Sequence, residues 1–208
     1  MSSSKPQNMV IVVGRQFGSG GRKIGKMLAE RFQLPYYDKE ILSKSAERYG
    51  FSPDIFAKYD EKRPSALRAL FAHSFGVPEV YTSSSMSGEK IYEAQGMVIR
   101  DLAEENGGVF VGRSADYILR DYPDLLSIFL HAPIEHRARA IVDRGDATTV
   151  EQGIEQARKL DSNRENFYNY FTGRRWGHCD NYHLSLDASR LSAEQIVDVI
   201  CAYLQGKK

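Results

Sequence analysis

Residues 9–24 read MVIVVGRQFGSGGRKI. An apolar run, Met9 to Val13, breaks into Gly14, Gly18, Gly20 and Gly21, with Arg15, Arg22 and Lys23 interleaved. A helical pattern follows, with Ile24, Met27, Leu28 and Phe32 on one face. A buried strand, a glycine loop and a helix start in that order bind anions. Glycines let the chain turn sharply and gather several N–H groups. The helix dipole adds positive potential at the same point, and basic side chains add full charges that suit phosphate. The stretch reads as a nucleotide phosphate loop.

Outward from the loop, strands and helices alternate. The pattern predicts a strand over Met9–Val13, a helix over 21–32, a short strand over 33–38 ending at Asp38, and a helix over Glu40–Tyr49. Residues 51–90 are weakly patterned, with one helical stretch near 64–73, and read as a segment inserted over the active face. A helix over Tyr92–Glu105 stops at Asn106-Gly107-Gly108. Strands are predicted at Val109–Val111, Leu125–Leu130 and His183–Leu186. Helices are predicted at Asp116–Arg120, from Pro133 to near Gly145, over 149–171, and over Ser192–Leu204 with a Ser192/Gln195 capping box. This alternation argues for an α/β fold with a parallel sheet covered on both faces. One domain over 9–206 follows a disordered tail at 1–8.

Two rival loop patterns fit less well. The dinucleotide pattern G-x-G-x-x-G takes Gly18 and Gly20 but meets Lys23 at its third glycine, although Asp38 stands about twenty residues on, where an acid would bind a ribose. The phosphate-loop pattern G-x-x-x-x-G-K-[ST] would place its lysine on Gly21 and its magnesium-binding hydroxyl on Arg22. Four glycines and three basic residues within ten positions still argue against a purely structural turn.

A longer run of motifs narrows the reading. Arg15-Gln16-Phe17-Gly18-Ser19-Gly20-Gly21-Arg22, Pro35-Tyr36-Tyr37-Asp38, Val111-Gly112-Arg113-Ser114-Ala115-Asp116 and Phe129-Leu130-His131-Ala132-Pro133 occur in that order, followed by Arg137, Arg139, Phe171-Thr172-Gly173, Trp176-Gly177 and Asn181-Tyr182-His183-Leu184. The chain resembles the cytidylate kinase-like family of P-loop proteins, related to the bacterial (d)CMP kinases. The resemblance implies a three-layer P-loop NTPase fold with a central five-stranded parallel sheet, a helical lid region at 145–175 and an inserted acceptor-binding segment. It implies transfer of the γ-phosphoryl of ATP, with Mg²⁺, to CMP or dCMP.

Phosphoryl transfer needs positioning and charge neutralisation more than covalent chemistry. Backbone N–H groups of Gly18, Ser19, Gly20, Gly21 and Arg22 are expected to cradle the donor phosphates, and Arg15, Arg22 and Lys23 are the candidates for the missing lysine's charge. The resemblance places Asp38 near the acceptor, where it helps orient the reacting group, and a helix N-cap role is compatible with that. It also assigns Arg113 to acceptor binding, with Ser114 where relatives carry an aspartate. Asp116 then either covers that loss or caps a helix. Arg158 and Arg164 lie where the family lid lies and are expected to meet the transferring phosphoryl on closure. Arg137 and Arg139 suit helix-surface pairing equally well. Gln95 and Arg100 are placed on the helix before Gly112, within reach of the acceptor. His178 and Cys179 lack the second cysteine pair of a zinc site, so no metal ligands are assigned. Trp176 reads as a packing anchor, and Tyr168, Tyr170 and Phe171 as lid packing or base-stacking surfaces.

The formal net charge of +1 provides no field for a nucleic-acid polymer or an acidic membrane, whereas local basic clusters suit a small nucleotide. No apolar run approaches the length of a membrane span, and two cysteines form no disulfide framework, so a cytoplasmic setting is expected. A homodimer through the inserted segment is compatible with the sequence. Two other functions remain open: a P-loop kinase for another small acceptor, suggested by Ser114, and a nucleotide-binding sensor without useful turnover, suggested by the missing loop lysine.

Overall fold

The computed structural model describes residues 9–38 and 88–206. The helix expected over Glu40–Tyr49, the tail at 1–8 and most of the 51–90 insertion lie outside them. In chain order the elements are β1 (Val10–Arg15), α1 (Gly21–Phe32), β2 (Tyr36–Tyr37), α2 (Gly88–Asn106), β3 (Gly108–Val111), α3 (Ala115–Ile118), β4 (Leu125–His131), α4 (Ile134–Asp143), α5 (Val150–Thr172), a 3₁₀ turn at Cys179–Asn181, β5 (Leu184–Asp187) and α6 (Ala193–Gln205).

The five strands form one parallel sheet in the order β2-β3-β1-β4-β5. Strand β1 is central, and its alternating side chains feed two cores. Val10 and Val12 pack with Phe110 and with Val98, Ile99 and Leu102 of α2. Ile11 and Val13 pack with Ile128, Leu130, Ile24 and Leu28 of α1, and Ile196 and Ile200 of α6. Each fully buried aliphatic side chain contributes roughly 1.5–3 kcal/mol of transfer free energy. Because all strands run the same way, Arg15, Asp38, Gly112, His131 and Asp187 fall at one carboxyl edge. That edge is where open α/β sheets bind ligands.

Among the boundaries that differ from the sequence reading, three shape the sheet around the site. Strand β1 continues through Gly14 and Arg15, because β4 is long enough to pair with both, opposite Phe129 and Leu130. Gly14 therefore serves space rather than a turn: a Cβ there would lie 2.9 Å from Phe129 Cδ2. Strand β2 shrinks to two residues, because Gln33 adopts a left-handed conformation that ends α1 and Leu34 donates back to Ala29. Strand β5 starts at Leu184 rather than His183. His183 is instead locked to β4, its N–H donating to the Ser127 carbonyl at 2.9 Å and its Nδ1 accepting the Ser127 N–H at 2.9 Å.

Helix α1 lies against β3 through Gly25, where a Cβ would stand 2.8 Å from Val111 Cγ2 and 3.2 Å from Tyr36 Cε2. Gly25→Val is expected to overpack this contact and destabilise the protein by about 1–3 kcal/mol. A lowered urea midpoint at unchanged m-value checks it.

Candidate active site

The glycine loop spans Gln16–Gly20, between β1 and α1. Gly18 and Gly20 adopt φ of +85° and +83°, which L side chains rarely tolerate. Gly20 caps α1 with no side-chain hydrogen bond, and the first turn holds no acidic residue. The first intrahelical bond runs from Ile24 N to Gly20 O at 3.1 Å, so the amides of Gly21, Arg22 and Lys23 open towards the sheet edge. Ser19 differs from expectation. It is buried, its amide donates to Gln16 O, and its hydroxyl lies 2.9 Å from Gln16 O and 3.2 Å from Leu130 O. Ser19 ties the loop to β4, and its side chain faces away from the anion site.

The loop is fastened from the other side by α4 and α5. Asp161, at the middle of α5, accepts the Phe17 N–H at 2.7 Å through Oδ1 and Arg137 Nη1 at 2.6 Å through Oδ2. Arg137 also donates to Phe17 O at 3.0 Å and, through Nε, to Ala132 O at 2.9 Å. Its side chain is only 8% exposed, so it is a core ion-pair member and not a helix-surface charge. Gly18 sits directly on the Arg137 backbone, where a Cβ would come within 2.7 Å of the carbonyl oxygen. Burial pushes the Asp161 carboxyl up, while the Phe17 amide and the two guanidinium groups pull it down. Arg164, one turn on, donates to Arg15 O at 3.2 Å and lies 5.5 Å over the Phe17 ring. Arg158 is exposed, one turn before Asp161. Of the two expected lid arginines, only Arg164 is seated on the loop in this state.

At the end of β3 the backbone is left-handed for three residues, Gly112, Arg113 and Ser114, with φ of +79°, +64° and +52°. Two consecutive non-glycine residues there store strain, which proteins hold at functional sites. Arg113 Nη1 donates to Gln95 Oε1 at 3.2 Å, and Gln95 Nε2 donates to Arg113 O at 3.1 Å. Gln95 is buried, so it positions Arg113 rather than reaching a ligand itself. Arg100 is exposed, with its guanidinium folded over Gly96 of its own helix. It lies five residues beyond Gln95, or about 7.5 Å along α2, away from the site. Asp38 follows β2 at the same edge as Arg113. Arg22 is exposed, and Lys23 faces α6, where it pairs with exposed Glu194 at 3.5 Å.

Sequence reasoning left Asp116 ambiguous and passed over Asp161. Asp116 is buried, and its Oδ2 accepts the Tyr168 hydroxyl at 2.7 Å, joining α3 to α5. Burial raises its pKa to about 6, against the Tyr168 hydrogen bond and Arg174. Tyr168, Tyr92 and Tyr182 around it are all raised, chiefly by burial. Phe171 stacks on Tyr92 at 4.4 Å, so these rings pack α5 on α2 instead of offering a base platform. Trp176 meets Phe129 edge-on at 5.4 Å, as an anchor. Next to the loop, a cavity of about 490 Å³ is lined by Gln16, His131, Pro133, Trp176 and Asp187 among others, within the size range of small-molecule sites. His178, Cys179 and Asp180 come together on the surface, all exposed.

The profile of the cytidylate kinase-like family matches residues 10–190. The chain belongs to this family. A protein called cytidylate kinase from Pyrococcus horikoshii is 25% identical over 195 residues, covering 93% of this chain and 87% of that protein. Among solved structures, an uncharacterized protein from Eubacterium ventriosum superposes with a TM-score of 0.72 at 23% identity, covering 96% of this chain and 99% of that one. Shikimate kinase from Bacteroides thetaiotaomicron superposes at 0.53 with 13% identity, covering 95% and 98%. The sheet and helices thus have the fold of P-loop kinases. Among the described residues of this family member, no helix is long and apolar enough to cross a membrane.

Arg137→Ala is expected to strand a buried Asp161 carboxylate and cost about 3–5 kcal/mol, whereas exposed Arg139→Ala should stay within about 0.5 kcal/mol. Denaturant unfolding of both variants checks the contrast. Asp116 makes a pH-dependent contribution. Its native carboxyl keeps a proton up to about pH 6, while an unfolded one releases it near 3.8. The folded state binds more protons between those values, so this contribution is fullest at low pH and is lost as pH rises through about 6. A tenfold change in proton affinity is worth about 1.4 kcal/mol, so the whole contribution is about 3 kcal/mol at most. Asp116→Asn is expected to stabilise the protein at pH 8, with the advantage narrowing towards pH 5 in urea titrations.

Proposed function

We propose that the protein transfers the γ-phosphoryl group of ATP to a nucleoside monophosphate, with CMP or dCMP as acceptor, in the cytoplasm. The observation that carries this reading is the shared sheet edge. An open helix start behind two left-handed glycines stands beside Arg113, held by buried Gln95. Membership of the cytidylate kinase-like family supports the nucleotide chemistry, and the cavity beside Gln16 supports a small-molecule ligand.

The donor phosphates lie over the amides that open α1, where partial positive charge concentrates. Arg113 holds the acceptor phosphate at the end of β3, with Asp38 on the same edge. An acceptor phosphate oxygen attacks the γ-phosphorus. The bond from that phosphorus to the β,γ-bridging oxygen breaks, and its electron pair leaves with ADP. Arg164, already over the loop, and Arg158, on the exposed side of α5, are the cations for the transferring group. Magnesium accompanies the nucleotide and neutralises its phosphate oxygens when bound. The loop offers that ion no hydroxyl, because position 22 is arginine and the Ser19 hydroxyl is turned to carbonyls.

A second reading rests on Ser114, buried at φ +52° where the resemblance to the (d)CMP kinases implies an acid. It keeps the phosphoryl transfer and changes the acceptor to another small hydroxyl or phosphate compound. A coupled ADP-release assay over a panel of monophosphates and small hydroxyl acceptors separates the two. CMP and dCMP are expected to give the highest kcat/KM, and turnover confined to a non-nucleotide acceptor would overturn the first reading. Arg113→Ala is expected to raise the acceptor KM by roughly tenfold or more, while ATP affinity stays within about twofold. Equal loss of both would remove Arg113 from the acceptor site.

A further inference from the structure

Gly21 is the first residue of α1, at the position where a standard phosphate loop carries its lysine. Glycine serves where the backbone is left-handed or where another group approaches too closely for a side chain. Gly21 has no left-handed φ. Its reason is space. A Cβ there would lie 2.7 Å from Arg15 Cγ, 2.8 Å from Arg15 Cβ and 3.4 Å from Cδ. The aliphatic stem of Arg15 therefore crosses directly over the Cα from which a loop lysine would emerge.

The head of the same side chain occupies a second glycine. At Gly112 a Cβ would collide with Arg15 Nη1 and stand 2.8 Å from Cζ. Gly112 follows β3, which pairs with β1 in the register Val13 opposite Val111. The guanidinium thus lies in the crevice between the ends of β1 and β3. One side of that crevice is the open start of α1, and the other is Arg113. The Arg15 carbonyl is held by Arg164. Of the two rival cations, Lys23 is turned to Glu194, while Arg22 is exposed on the first turn of α1.

We propose that Arg15 supplies the cation the loop lacks at position 21, delivered from the end of β1 to the terminal phosphate of a nucleoside triphosphate. Gly21 and Gly112 are the two gaps that let its stem and head pass. This inference rests on the phosphoryl-transfer reading and names the group that meets the leaving and transferring phosphates. A guanidinium brings a planar fork in place of a point charge, so it can bind oxygens of two phosphates at once.

The test is calorimetric binding of ATP, ADP and AMP, with turnover as a second measurement. It uses the wild type, Arg15→Met, Arg15→Lys, Arg15→Ala, Gly21→Lys and the double variant Arg15→Ala/Gly21→Lys. Arg15→Met keeps the stem and removes the charge. It is expected to weaken ATP by about tenfold or more while leaving AMP within about twofold, because only the outer phosphates reach the crevice. The double variant clears the stem and restores a lysine at the standard position. It is expected to recover ATP affinity over Arg15→Ala alone, whereas Gly21→Lys in the presence of Arg15 is not. Arg15→Lys keeps a charge on a shorter reach and is expected to fall between wild type and Arg15→Met. Equal weakening of ATP and AMP in Arg15→Met, or no recovery in the double variant, would overturn the proposal. Wild-type protein that binds ATP but turns over no acceptor would sink the kinase reading and leave the binding comparison decisive for Arg15. Failure of the wild type to bind ATP would overturn both.

Discussion

A single carboxylate holds the glycine loop in place. Asp161 reaches from the middle of α5 to the Phe17 amide, and through Arg137 to the Phe17 carbonyl. Both main-chain polar groups of Phe17 are thereby fixed by a buried ion pair. Breaking such a pair leaves an uncompensated charge in the interior, so the clasp resists local opening. Gly18 on the Arg137 backbone and Ser19 on the Leu130 carbonyl complete the attachment. The loop can therefore keep its remaining amides in an open arrangement before a ligand arrives, because its other side is already satisfied. A site preorganised in this way spends little binding energy on ordering its donors.

The same clasp limits how α5, the proposed lid helix, can move. A helix braced at its midpoint on the loop cannot swing away as a whole without exposing Asp161 and Arg137. Movement is left to the parts of α5 on either side of that brace, where Arg158 is exposed and Arg164 is already seated. The chain is nearly neutral, yet its cations are sorted by depth into distinct tasks. Arg137 is structural, Arg15 and Arg113 line the crevice between β1 and β3, and Lys23 belongs to the outer surface. Charge on a sequence does not distinguish these tasks. Burial and the direction of each stem do.

The left-handed run at Gly112, Arg113 and Ser114 is the sharpest backbone feature of the site. It turns the chain off β3 at once and aims the Arg113 head back towards Gln95. A regular turn would carry that side chain away from the sheet edge. The strain is held by the surrounding core, where Ala115 and Leu119 anchor α3 beneath it.

The strand–glycine loop–helix order, the parallel sheet and the sheet edge that gathers the candidate site residues were legible in the sequence by itself. Each follows from local periodicity and from the conformations that Gly18 and Gly20 allow. The capping box at Ser192 and the packing role of Trp176 were legible for the same local reason. The partners of the charged residues were not. Asp161 meets Phe17 from 144 positions away, and Tyr168 meets Asp116 from 52. No spacing rule spans such distances. Gly14 and Gly21 read as loop glycines and proved to be clearances for Phe129 and Arg15, and Gly25, inside the first helix, is a clearance for Val111. Periodicity is a property of neighbours along the chain, and it determined the elements. Which cation stands over the loop is a property of neighbours in space, and only the packed tertiary structure decided it.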